Sequence, residues 1–103
     1  MPEFVKVART DDIPAGHATM VEVNGKEIAL FNVGGSFHAI DNTCPHEGGP
    51  LGEGELCGEV VSCPWHNTAF NVKTGKALGP LTDEDVRCFP VKVQGNDVMV
   101  EVD

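Results

Sequence analysis

Long apolar runs are missing from this chain. No stretch of its 103 residues approaches the length needed to cross a bilayer, so neither a spanning helix nor a membrane partner is expected. Residues 1–6, Met-Pro-Glu-Phe-Val-Lys, hold no basic region followed by an apolar one. No secretory leader is therefore expected, and the cytoplasm is the expected location. Basic residues are scarce. Seven Lys+Arg stand against 16 Asp+Glu, a net charge of −9, which argues against nucleic acid and anionic lipid surfaces. Helical periodicity is scarce as well, whereas 12 glycines and seven prolines punctuate the chain. That combination points to an all-β, loop-rich architecture. Repeats, a His/carboxylate facial triad, a nucleophile elbow and a Gly-rich phosphate loop are all absent. The chain therefore offers no substrate site and reads as something other than an enzyme.

The length fits one domain, residues 1–103, with a modest core. Strands are expected at 4–8, 17–23, 26–33 and 36–41. Residues 17–23 alternate, with Thr19, Val21 and Val23 on one face. Asn24-Gly25 is a strong hairpin signal, and Gly34-Gly35 makes a second tight turn, so the three later strands form a meander. Residues 47–57 contain four glycines and a proline and read as loop. Further strands are expected at 58–62 and 69–72, a turn at 73–76 and an apolar loop at 78–81. Residues 82–85 form an acidic link. A single long strand is expected over 86–93, turned by Gly95-Asn96 into an alternating strand at 97–102.

Four cysteines are present. Cys57 and Cys88 have no patterned partner and are expected to be free, reduced thiols. The other two sit in mixed clips, Cys44-Pro45-His46 and Cys63-Pro64-Trp65-His66, separated by sixteen residues. Two thiolates and two imidazoles suit either zinc or an iron–sulfur centre. Zinc sites usually build each half from a like pair, two Cys or two His. Here each clip is mixed, which suits a [2Fe–2S] centre with two Cys on one iron and two His on the other. His17 and His38 belong to strands and are not expected to be ligands.

On all four ligand positions, both intervening prolines and the long loop between the clips, the chain resembles the Rieske family. The resemblance implies the Rieske fold, antiparallel sheets forming a base domain with an inserted cluster-binding subdomain at about 42–81. It implies one [2Fe–2S] cluster per chain, held by Cys44, His46, Cys63 and His66. The ligand loops would form an apolar tip rimmed by Pro45, Pro50, Leu51, Trp65 and Pro80, with Glu47 further out.

Respiratory members of the family carry a disulfide between the two loops. The corresponding positions here are Gly49 and Trp65, so that bridge is absent. Those members also place Ser and Tyr where this chain has Thr68 and Phe70. Thr68 keeps a hydroxyl; Phe70 cannot donate. These departures are similar to the low-potential ferredoxins of bacterial ring-hydroxylating oxygenases. The implied role is to carry one electron from a flavin-dependent ferredoxin reductase to a terminal Rieske oxygenase, as a dioxygenase component in aromatic hydrocarbon catabolism. The alternative is the small Rieske-type subunit of an assimilatory nitrite reductase.

Overall fold

The computed structural model describes residues 3–44, 49–65, 68–79 and 84–102. It is built from antiparallel sheets, and no helix among the described residues is long and apolar enough to cross a membrane.

Strand β1 (Glu3–Arg9) leads through a short 3-10 turn (Thr10–Asp12) to β2 (Ala18–Val23), β3 (Lys26–Val33) and β4 (Ser36–Asp41). The expected meander is present. Its first turn puts Asn24 and Gly25 at φ 52° and 81°, the left-handed pair that matches the twist of the flanking strands. Val23 consequently pairs with Lys26. Strand β3 is buried on both faces. Ile28 and Leu30 enter one core with Ile13, Ala39, Phe89, Val98, Val100 and Val102. Ala29 and Phe31 enter the other with Ile40, Leu51, Val61, Phe70 and Val72.

After a second 3-10 turn (Leu51–Glu53) come four three-residue strands, β5 (Glu55–Cys57), β6 (Val60–Ser62), β7 (Ala69–Asn71) and β8 (Ala77–Gly79), paired in that order. Two of these replace expected loops. Strand β5 lies in the Gly/Pro-rich stretch, paired to β6 with Leu56 opposite Val61. Strand β8 lies where an apolar loop was expected, with Ala77 packed against the core that holds Phe70. Residues 80–83, part of the expected loop and acidic link, lie outside the described residues.

The run at 86–93 is two strands instead of one, β9 (Cys88–Phe89) and β10 (Val91–Gln94). Pro90 separates them because it has no N–H for a ladder; its carbonyl accepts the Glu101 N–H at 2.9 Å. The break lets one segment serve two sheets. β9 pairs with β4, while β10 pairs with β11 (Asp97–Val102), which also pairs with β1. Val98, Val100 and Val102 face inward from β11 as their alternation predicts.

Candidate metal centre

The approach to the first cysteine is fixed by Asn42, at the end of β4. Its N–H donates to the Glu27 carbonyl at 3.1 Å, and its carbonyl accepts the Leu51 N–H at 2.7 Å. Its side-chain Oδ1 accepts the Gly52 N–H, also at 2.7 Å and buried. One residue thus ties the returning end of the loop to β3 and β4. Gly52 must be small for this: a Cβ there would lie 2.9 Å from Asn42 Oδ1 and 3.1 Å from the Thr19 carbonyl oxygen. Thr43 and Pro50 form an isolated antiparallel bridge, so chain entering and leaving the first clip runs side by side.

Cys44 follows, 1% exposed, its N–H donating to the Gly49 carbonyl at 2.9 Å. Cys63 follows β6 and is 0% exposed, its N–H donating to the Thr68 carbonyl at 2.7 Å. Both cysteines belong to the core that holds Phe31, Leu51 and Phe70. Gly49 joins the two clips. Besides receiving the Cys44 N–H, it lies so close to Cys63 that a Cβ on it would sit 2.5 Å from Cys63 Sγ. The same point is 3.2 and 3.3 Å from Cγ and Cδ2 of Trp65.

His46 and His66, the two expected imidazole ligands, lie outside the described residues, as do Pro45, Glu47 and Pro80. Among the described residues no group of three metal-ligating side chains occurs. His17 is exposed on the loop before β2. His38 is half-buried on β4, and its Nε2 is buried without a partner among the described residues. Burial first, and the Lys73 charge second, hold its pKa below the usual histidine value; Glu59 opposes them. Neither histidine joins the cysteines.

Cys57 and Cys88 are exposed and unbridged. Cys88 lies in β9, within the run expected to be a strand, and its Sγ donates to the Lys73 carbonyl at 3.2 Å. Burial pushes that thiol's pKa up, the opposite of what a metal-binding or nucleophilic thiolate needs.

Two observations fit a sulfur-ligated cluster at Cys44 and Cys63. The cysteines converge on one glycine at the edge of an apolar core, a low-dielectric setting. Beside them Thr68 is 0% exposed with its Oγ1 buried and unpartnered among the described residues. A buried hydroxyl without an acceptor is costly, and a bound sulfur would give it one. Phe70, also fully buried, contributes no donor.

Leu51 does not form part of an exposed rim. It is 0% exposed, turned inward by the second 3-10 turn. Trp65 is 48% exposed. Sequence reasoning did not single out Gly49's steric role or Asn42. A turn-forming Asn between the end of a strand and the first cysteine clip is the one signal that could have flagged Asn42.

Comparison with known proteins follows the same lines. The family model described as the Rieske [2Fe-2S] domain matches residues 3–90. The ferredoxin component of the naphthalene 1,2-dioxygenase/salicylate 5-hydroxylase systems of Ralstonia sp is 41% identical over 100 residues, covering 97% of this chain and 96% of that protein. Among solved structures, a chain from the complex of reduced oxygenase and oxidised ferredoxin in carbazole 1,9a-dioxygenase superposes with a TM-score of 0.89 at 35% identity, covering 94% of this chain and 91% of its own. A putative NADH-dependent nitrite reductase small subunit from Mycobacterium tuberculosis also superposes at 0.89, but at 23% identity, covering 100% of this chain and 97% of its own.

Proposed function

The chain belongs to the Rieske [2Fe–2S] family, and on that footing we propose that it is a one-electron ferredoxin of a ring-hydroxylating oxygenase system. The observation that carries this reading is end-to-end correspondence. The alignment covers 97% of this chain and 96% of a relative named as a ferredoxin component. The nitrite reductase small subunit shares the fold alone at 23% identity, and nothing specific favours that reading.

When bound, the cluster supplies a site that gains and loses one electron. Cys44 and Cys63 would hold it through sulfur, and His46 and His66 through nitrogen. Asn42, Gly49 and the Cys63–Thr68 backbone bond keep the sulfurs where the apolar core excludes water. The cluster-binding part spans about 42–81, inserted into a base formed by the two remaining sheets. The proposed partners are a flavin-dependent reductase upstream and a terminal Rieske oxygenase downstream, with the cytoplasm as the site of action. The charge of −9 suits a partner with a basic face and makes association salt-sensitive.

The test is composition and ligand substitution. Purified protein should hold two irons and two sulfides per chain, without stoichiometric zinc. Its reduced EPR spectrum should have the low average g of nitrogen ligation. Cys44→Ser, Cys63→Ser, His46→Ala and His66→Ala should each lose the cluster, whereas Cys57→Ser and Cys88→Ser should keep it. A four-sulfur spectrum, or cluster loss in either control, would overturn the ligand set.

A further inference from the structure

We propose that Gly49 and Trp65 form a non-covalent clasp that locks the two cysteine loops together and positions the sulfur of Cys63. Gly49 is buried, and the space beside its Cα is already occupied. Cys63 Sγ and two carbons of the Trp65 indole all lie within 3.3 Å of the point where a Cβ would sit. The indole therefore lies over the bare Cα with the sulfur alongside, an approach that only glycine permits. The same glycine accepts the Cys44 N–H at 2.9 Å. One residue thus fixes the first cysteine through its backbone and the second through van der Waals contact.

Trp65 is two residues after Cys63, so the indole and the sulfur belong to one loop and Gly49 to the other. For the loops to part, the ring must leave the glycine, and the flank of Cys63 Sγ then opens to water. Cys63 cannot accommodate a larger residue at 49 by retreating, because it is fully buried. Trp65 is 48% exposed, so the indole that meets Gly49 also keeps a wet side. In this role Trp65 and Gly49 are positioning residues that act through Cys63. The inference rests on the reading of Cys63 as a cluster ligand.

Two measurements test it. The first is the rate at which the visible absorbance of loaded protein bleaches in air with an iron chelator. Trp65→Ala should bleach several-fold faster than the native protein, and Trp65→Phe, which restores a ring over the glycine, should recover most of the loss. The second uses the fact that Trp65 is the chain's single tryptophan. In cluster-free protein, Gly49→Ala should shift its emission to the red and increase its quenching by iodide, since the added methyl displaces the ring. Equal bleaching rates in native protein and Trp65→Ala would overturn the clasp. So would a Trp65→Phe variant as labile as Trp65→Ala, because a ring would then not be the requirement. These two variants decide the matter even where Gly49→Ala does not fold. Cys63→Ser separates the underlying assumption: retention of the cluster there would refute the ligand reading, while the emission shift in cluster-free Gly49→Ala would still stand or fall by itself.

Discussion

Replacing Thr68 with valine removes one buried hydroxyl at nearly constant volume. The backbone bond that matters, from the Cys63 N–H to the Thr68 carbonyl at 2.7 Å, does not depend on the side chain. With no partner for Oγ1 among the described residues, the hydroxyl is a liability of about 1–3 kcal/mol in cluster-free protein. Thr68→Val should therefore leave cluster-free stability unchanged or raised. In loaded protein the sign reverses. A hydrogen bond contributes about 0.5–1.5 kcal/mol to a neutral acceptor and about 1.5–3 to a charged one. An added electron makes the acceptor more negative, so the hydroxyl favours the reduced state by the difference, about 1–1.5 kcal/mol. At about 59 mV per 1.4 kcal/mol for one electron, the midpoint should fall by about 40–60 mV. The native protein should start near the negative end of the Rieske range, about −150 mV. Spectroelectrochemical titration of the native protein, Thr68→Val and Thr68→Ser measures this, with thermal melts of the cluster-free forms alongside. An unchanged midpoint in loaded Thr68→Val would show that the hydroxyl does not face a sulfur. An equal fall in Thr68→Ser, which keeps the donor, would trace the effect to packing.

Two further outcomes concern the scaffold. Asn42→Ala should lower stability by about 1–3 kcal/mol, because it strands the buried Gly52 N–H that Oδ1 now accepts; urea denaturation measures it, and Asn42→Asp, which retains an acceptor, should lose less. His38 should make the fold acid-sensitive. Its pKa is depressed by burial and by Lys73, against the opposing Glu59, so below the ordinary value of 6.5 the unfolded chain takes up a proton that the folded chain refuses. Stability contributed by neutral His38 is thus intact above that pH and declines below it, until the folded-state pKa is reached. Comparing urea midpoints above and below 6.5, His38→Gln should show a smaller decline than the native protein; equal declines would place the acid sensitivity elsewhere.

How far the fold was legible in the sequence followed the length over which a pattern repeats. Asn24-Gly25 and Gly34-Gly35 set two turns whose flanking strands run for six to eight residues, and β2, β3 and β4 appear there. Strands β5 and β8 are three residues long and lie beside glycines and prolines that read as loop, whereas the equally short β6 and β7 carry Val60-Val61 and Phe70. The first two exist because β6 and β7 offer ladder groups and Val61 and Phe70 anchor a core beneath them. The run at 86–93 misled for a different reason. Its alternation is genuine, but Pro90 removes one donor, and two sheets compete for what remains. The two mixed clips stand out as candidate ligands because Cys and His in such pairs have few structural uses, and of the four proposed positions the described residues include Cys44 and Cys63, which share one core. Gly49 was not legible, since a glycine that accommodates a sulfur from a distant loop looks the same in sequence as one that merely bends the chain.

The cysteines are embedded in one of the two cores, and β3 joins that core to the other. Alternate residues of this strand feed opposite cores, so Ala29 and Phe31 pack on the side that contains Cys44 and Cys63, while Ile28 and Leu30 pack with the valines of β11. A shift of the sulfurs would have to move Phe31, and through β3 the core on its other face. Close-packed interiors resist such displacement. For a one-electron carrier that resistance is useful, because a site that does not rearrange between redox states spends little free energy on reorganisation at each transfer. Trp65 stands outside that core: it is 48% exposed, with part of its indole against Gly49.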